Sequence, residues 1–447
     1  MLTKLQVSDF KAFQELNLEI RPLTILLGPN NTGKSSIIAP IRLLAQTIKS
    51  ADPGIALRLD GPFGDFGTFR DIVFGNESST SFAIELSGVS KLPPFRARHQ
   101  DKSTVRWSLR AEFGYRSRRR QLVLKEVTVS DEDGHLLTAA YVAASDRHVI
   151  VRALGKEIPS SHRGRTAKLL ELMNFAPYFM IYREREGAKV LGGLLNEAQL
   201  DSLSDRVETA VWAARQTLRS TEYIGGMRVP PERTYHQTGE GRAAIGAAGE
   251  NWTGILVADS SRAGGSSQKL RSRLGSWLKD AGLASEVRFN WLSDRHYEVQ
   301  IRHPVTREYE NIADVGQGNS QVIPVLLGGL RLKPESLYMV EEPEIHLHPR
   351  AQSELGEFFN SLRASGVHSI IETHSEYLLL RVQQHVAAGH LDPADVAFYY
   401  TYASPRSRKK RVKMLTLDEN ARFEQNISGG FFPERLNEAR KLARLRG

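Results

Sequence analysis

The chain has 447 residues, 40% hydrophobic and 25% charged, with 60 Lys and Arg against 51 Asp and Glu and no cysteine. That length allows roughly two to four domains. The missing cysteines exclude disulfides, thiolate metal sites and thiol nucleophiles, and no apolar run reaches the roughly 18 residues of a membrane span. A net charge of +9 permits a nucleic acid or an acidic partner without requiring either.

Leu2 to Ile20 reads as two short strands around a Lys-Ala-Phe turn, a pattern unlike a signal peptide. A cytoplasmic location is expected. Leu23 to Leu27 (LTILL) is a short apolar run suited to a buried parallel strand. Directly after it comes Gly28-Pro29-Asn30-Asn31-Thr32-Gly33-Lys34-Ser35, then a stretch with apolar residues at helical spacing. Strand, Gly-rich loop and helix form the context that a GxxxxGKS phosphate loop requires. Its backbone N–H groups would surround phosphate oxygens, Lys34 would bridge the β- and γ-phosphates, and Ser35 would ligate Mg²⁺. The expected nucleotide site comprises Gly28, Asn30, Asn31, Thr32, Gly33, Lys34, Ser35 and Ser36.

Leu57 to Asn76 reads as a compact loop and Ser81 to Leu86 as a strand. From Ser90 to Ile150, short alternating runs such as RWSLRAEFGYR and QLVLKEVTVS predict an antiparallel β insertion. Arg116, Arg118, Arg119 and Arg120 concentrate its charge. Arg163 to Ser220, including AKLLELMNF, predicts a helical arm. Gly225 to Gly254 reads as a long loop. A helix at Lys269 to Asp280, a strand pair at Glu286 to His303 and a helix starting near Ser320 are expected next.

A second constellation follows. Leu337 to Val340 (LYMV) is a strand ending in Glu341-Glu342-Pro343-Glu344. Glu341 suits a metal-binding carboxylate and Glu342 a group that positions the attacking water. Val367 to Thr373 is another strand, ending in His374-Ser375. His374 stands where ligands bind in open α/β sheets, and Ser375 suits an N-cap. Gly316, Gly318, Asn319 and Ser320 lie in a Gly-rich loop that opens a helix, a candidate second anion site for a nucleotide held by another subunit. Arg408, Lys409, Lys410 and Arg411 read as a basic hairpin tip. A solvated turn is the plainer interpretation of both Arg-rich runs.

Together LGPNNTGKSS, GDFGTFRDIVFGN, YIGGMRVPPERTY, NIADVGQGNSQVIPVL, VEEPEIHLHP, IIETHSEYLLLR and GGFFPERLNEA resemble the ABC-type ATPase heads of the SMC, RecF and OLD families. They look closest to the bacterial AAA-labelled members with a short C-terminal domain of unknown function. The resemblance implies an α/β P-loop NTPase head with a mixed sheet, an antiparallel β lobe and a helical insertion. It assigns residues 1–90 to an N-terminal lobe, 91–220 to the insertion, 221–400 to a C-terminal lobe and 401–447 to a basic hairpin and tail.

By the same resemblance Lys34 and Ser35 match the Walker A lysine and metal ligand. Glu341 stands where many relatives have Asp, Glu342 matches the catalytic carboxylate, and His374 the switch histidine. Gly316, Gly318 and Ser320 fall in the signature loop, with Gly316 where its serine would be. HLHP, with His346 and His348, matches an inter-subunit loop better than a metal site. No match to the Gln that links metal to the helical lobe is evident, and Phe63 to Asn76 occupies its place. The implied function is an ATPase using ATP and Mg²⁺, with heads pairing around two nucleotides as a homodimer or higher homo-oligomer. It would act as a switch over a separate nuclease or toxin in anti-phage defence, since the residues after Tyr400 are too few for a nuclease fold. The alternative is a DNA-binding repair clamp, with DNA as its partner. Neither reading involves a membrane.

Overall fold

A computed structural model describes residues 1–93, 103–179, 194–237, 244–261, 267–403, 410–418 and 420–424. The chain divides into two compact units, Met1–Ile20 with Ser36–Thr221, and Arg21–Ser35 with Glu222–Gly447.

In the first unit eight strands form one antiparallel sheet. Its order runs Lys156–Glu157, Arg147–Ala153, Gly134–Val142, Gln121–Asp131, Thr104–Arg116, Phe82–Lys91, Leu2–Phe10 and Phe13–Glu19. Alternation builds it: Val105, Trp107, Leu109, Ala111 and Phe113 are buried while Arg106, Ser108, Arg110 and Glu112 between them are not. Leu109 faces Val129 and Ala111 faces Val127 on the next strand, so both strands bury the same face. The N-terminal strands and the β insertion therefore share one sheet, and the expected division between residues 90 and 91 falls inside the strand Phe82–Lys91.

The expected helical arm is only partly helical. Glu197–Arg219 is a 23-residue helix, closed by a reciprocal cap in which Asn196 Oδ1 accepts from Gln199 N and Gln199 Oε1 accepts from Asn196 N. AKLLELMNF is not a helix. Leu170–Met173 and Ala176–Phe179 form a two-stranded antiparallel pair instead. Asn174 turns the chain at φ +62° and donates to the carbonyls of Asp52 and Ile55. That turn, with its long-range hydrogen bonds, overrides a short apolar run whose period is ambiguous.

The second unit is built on a six-stranded sheet: β1 (Leu23–Leu27), β2 (Thr221–Ile224), β3 (Leu337–Glu341), β4 (His368–Glu372), β5 (Val396–Ala403) and β6 (Lys410–Leu415). Their order is β2-β3-β4-β1-β5-β6, with β3, β4, β1 and β5 parallel and β6 antiparallel to β5. β1 lies inside this parallel group, and all five of its residues are buried. Four helices matter for the site: α1 (Lys34–Ile48), α2 (Gln317–Leu330), α3 (Pro349–Ala364) and α4 (Glu376–Ala387). Ile25 and Leu27, Val322, Ile323, Val325, Leu326 and Leu327 of α2, Leu355 and Phe359 of α3, and Leu378 and Val382 of α4 belong to one apolar core. Helix α2 starts at Gln317, three residues before the expected position. Helix Ser267–Asp280 and the antiparallel pair Glu286–Trp291 and His296–Arg302 fall where the pattern puts them.

Candidate functional site

The carboxyl ends of parallel strands are where open α/β sheets bind ligands. At this edge β1 runs into the Gly28 to Gly33 loop. Gly28 has φ +135° and Gly33 has φ +100°, values that favour glycine. A Cβ on Gly28 would lie 2.3 Å from the Thr401 carbonyl oxygen. Thr401 of β5 donates through Oγ1 to the Leu27 carbonyl at 3.1 Å, and its hydroxyl lies 2.5 Å from that of Thr32. Thr32 Oγ1 is also 2.7 Å from the Pro29 carbonyl. The loop is thus pinned to β5. Asn30, Asn31 and Ser35 are exposed and Ser36 is half-buried.

Lys34 is buried, and its Nζ donates to the carbonyls of Gly28 and Pro29, each at 3.0 Å. Burial pushes its pKa down, against the pull of Glu372 and Glu342. The neighbouring Ser35 Oγ donates to Glu372 Oε2 at 2.9 Å, and Glu372 Oε1 lies 3.8 Å from Lys34 Nζ. Glu372, absent from the sequence-based site, is the carboxylate that both phosphate-loop side chains meet. Glu341, the expected metal partner of Ser35, stands opposite Glu372 in the β3–β4 register. Its Oε1 accepts from the Tyr223 hydroxyl of β2 at 2.9 Å. Burial first, and then the Glu341 charge, raise the Glu372 pKa to about 7. Glu341, at the end of β3, and the Ser35 hydroxyl are hard oxygen donors of the kind suited to Mg²⁺, with the buried Glu372 carboxylate beside them. No group of three or more His, Asp and Glu among the described residues is arranged to hold a metal alone, and a P-loop metal is typically completed by phosphates and water. His346 and His348 are exposed.

After β3 the chain turns sharply. Glu342 has φ +45°, a left-handed value that is strained for a side-chain-bearing residue. Its amide donates to the Glu372 carbonyl at 2.7 Å. Buried Arg228 donates from Nη2 to the Glu341 carbonyl at 2.6 Å and from Nη1 and Nη2 to the Glu342 carbonyl at 3.2 and 3.1 Å. One guanidinium therefore fixes the backbone of both adjacent glutamates.

His374 follows β4 and is exposed, with Nε2 3.8 Å from Glu342 Oε1. Partial burial of the ring, and then the Lys34 charge, lower its pKa, so the neutral imidazole is favoured. Its amide donates to Glu344 Oε1 at 2.5 Å, tying the turn after β3 to the turn after β4. Ser375 caps α4, accepting from Leu378 N at 3.1 Å.

The Gly-rich loop opens α2, with exposed Gly316 as its N-cap. An added Cβ on Gly316 would meet nothing within 4 Å, whereas one on Gly318 would lie 2.9 Å from the His346 carbonyl. Asn319 and Ser320 are buried, and Ser320 Oγ donates to the Gln317 carbonyl of its own helix at 3.0 Å. The two side chains named for this anion site thus turn inward, leaving Gly316 at the surface.

The basic runs are dispersed. Arg116 and Arg119 each lie 2.9 Å from a carboxylate oxygen of Asp146, while Arg118 and Arg120 are exposed. Arg411 is exposed and Lys410 half-buried at the start of β6; Arg408 and Lys409 lie outside the described residues, as does GGFFPERLNEA.

Sequence reasoning missed Glu372, Tyr223, Arg228 and Thr401 as parts of this site. For Glu372 a signal existed, an acid ending a buried strand two residues before His374. Tyr223 and Arg228 stand in the quoted YIGGMRVPPERTY segment, but only strand order brings that segment beside β3.

The model of the family described as "AAA domain, putative AbiEii toxin, Type IV TA system" matches residues 23–381. The OLD nuclease of Thermus scotoductus is 34% identical over 73 residues, 16% of this chain and 13% of that protein's length. The SMC head bound to the C-winged helix domain of ScpA is 10% identical, with a TM-score of 0.45 over 94% of this chain and 98% of that one. The SMC head domain of Thermotoga maritima is 11% identical, with a TM-score of 0.38 over 93% and 99%.

Proposed function

Because the chain belongs to this AAA-domain family, and its six-stranded sheet carries the P-loop at β1, we propose that it is an ATPase. The observation that carries the reading is the meeting, at one sheet edge, of Lys34 and Ser35 with the ends of β3 and β4. Lys34 binds the β- and γ-phosphates of ATP once its ammonium leaves the loop carbonyls, and the Gly28 to Gly33 backbone surrounds them. Ser35 and Glu341 hold Mg²⁺, which when bound neutralises phosphate charge. Glu342 orients the attacking water and accepts its proton, held in position by Arg228. His374, neutral and near Glu342, reaches toward the γ-phosphate.

The finer role is an ATP-dependent oligomeric switch in the cytoplasm. Two heads close over nucleotide, with exposed Gly316 and the α2 N-terminus contributing to a neighbour's site. Closure controls a separate effector, a nuclease or toxin, in anti-phage defence. The family description and the short match to an OLD nuclease support this direction. Purified protein with ATP and Mg²⁺ should release phosphate; Lys34→Ala should lose nucleotide binding, and Glu342→Gln should bind ATP but turn it over at least about a hundredfold more slowly. Normal turnover by Glu342→Gln would move the base elsewhere.

The alternative, a DNA clamp, draws on Arg118, Arg120 and Arg411, exposed at hairpins. The pairing of Arg116 and Arg119 with Asp146 weakens it. A salt-titrated DNA-binding assay separates the two readings.

A further inference from the structure

Glu372 has no part in the proposed hydrolysis, yet it engages both side chains that the proposed nucleotide needs. Ser35 Oγ donates to its Oε2 at 2.9 Å, and Lys34 Nζ stands 3.8 Å from its Oε1. The carboxylate is buried, fixed at the end of β4 in register with Glu341, and its own backbone carbonyl accepts from Glu342. An incoming phosphate chain must take Lys34 and Ser35 from it. It must also bring negative charge toward a carboxylate that burial leaves poorly screened. A divalent cation would remove both obstacles: Ser35 and Glu341 would hold it, and its charge would offset that of the phosphates.

Resting on the ATP-site reading, we propose that Glu372 is a positioning residue that makes nucleotide capture metal-dependent, withholding Lys34 and Ser35 from nucleotide that arrives without a divalent cation. Glu341 serves the metal; Glu372 penalises its absence. The two neighbouring glutamates of one register pair thus have separable tasks.

The test is equilibrium binding of ADP to the full chain at pH 8, by calorimetry, in EDTA and in Mg²⁺. Glu372→Gln keeps the shape and a hydrogen-bond acceptor for Ser35 while removing the charge. It should tighten binding in EDTA about tenfold, the change equivalent to one pKa unit of charge interaction, and leave binding in Mg²⁺ within about threefold. The ratio between the two conditions should therefore shrink. Glu341→Gln should do the reverse, losing affinity only in Mg²⁺. An unchanged ratio in Glu372→Gln overturns the proposal. So does weaker binding confined to Mg²⁺, which would make Glu372 a plain metal ligand. Melting curves matching the wild type establish that the variants are folded; if Glu372→Gln does not fold, Glu372→Ala must show the same tightening in EDTA or the proposal fails. A wild-type chain that binds ADP in neither condition overturns the ATP-site reading itself, and this inference with it.

Discussion

Arg228 donates from both terminal guanidinium nitrogens to the backbone carbonyl of Glu342, at 3.2 and 3.1 Å. The contact holds a residue whose φ of +45° is intrinsically unfavourable. Nη2 also reaches the Glu341 carbonyl. The buried guanidinium thereby sets where both glutamate side chains begin, through the backbone.

Arg228→Lys keeps the charge but loses the planar fork, so it cannot satisfy both carbonyls. The expected result is a fall in turnover of about tenfold or more, with nucleotide affinity in Mg²⁺ nearly unchanged. Arg228→Ala takes a donor from both carbonyls, leaving that of Glu342 the Ile345 amide at 3.3 Å, and should cost roughly 1–3 kcal/mol in urea unfolding. Equal losses of turnover and affinity in Arg228→Lys would show that the arginine acts on nucleotide binding rather than on the Glu342 turn.

Gly28→Ala tests the loop's seat on β5. The added methyl would lie 2.3 Å from the Thr401 carbonyl oxygen at a φ of +135°, so either the loop or β5 must move. A loss of about 2 kcal/mol or more is expected, with nucleotide binding lost before the fold. Calorimetric binding and thermal melting on the same sample check this. Gly316→Ala, where nothing lies within 4 Å of the new carbon, should leave thermal melting unchanged.

These relationships also mark how far the sequence was legible. β1, the phosphate loop and the strands ending in Glu341 and Glu372 could be read because a buried parallel strand is a continuous apolar run bounded by turn chemistry. AKLLELMNF was misread because a nine-residue apolar stretch fits both periods, and the deciding fact, the side chain of Asn174 reaching Asp52 and Ile55, is long-range. Glu372 could be seen but not assigned. Its meeting with Ser35 depends on β4 lying between β3 and β1, an order that sequence proximity does not reveal. Ser320 was assigned from a motif, whereas helical phase turns its hydroxyl inward.

The Glu372 carboxyl should leave a pH signature in stability. Its pKa rises from 4.5 to about 7 on folding, so the folded state binds the proton more tightly than the unfolded one. That contribution is complete below the unfolded pKa and disappears as pH rises through about 7. Linkage gives about 3 kcal/mol across this window. Nucleotide-free wild type should therefore lose more stability between pH 5 and pH 8 than Glu372→Gln, which has no proton to release. Glu344, with a raised pKa, and His374, with a lowered one, titrate in both proteins and cancel in the comparison. Parallel urea midpoints across pH for the two proteins would contradict the shift.

A site shared between subunits predicts complementation. Lys34→Ala disables a head's own phosphate loop, and Gly316→Arg places a long cation at the exposed α2 N-cap, where an added Cβ meets nothing within 4 Å. Each variant alone should be nearly inactive in ATP hydrolysis. Mixed in equal amounts, a pair of heads contains one intact loop facing one intact Gly316, so one of its two sites is whole. With random pairing, half the pairs are mixed, so about a quarter of wild-type activity should return if the remaining site works alone. The pairing must be allowed to exchange before the assay, because preformed homodimers would hide the effect. Activity that stays at the single-variant level after exchange would mean that each chain completes its own site, and that Gly316 serves some other surface. Full activity in Gly316→Arg alone would remove the α2 N-cap from the nucleotide site altogether.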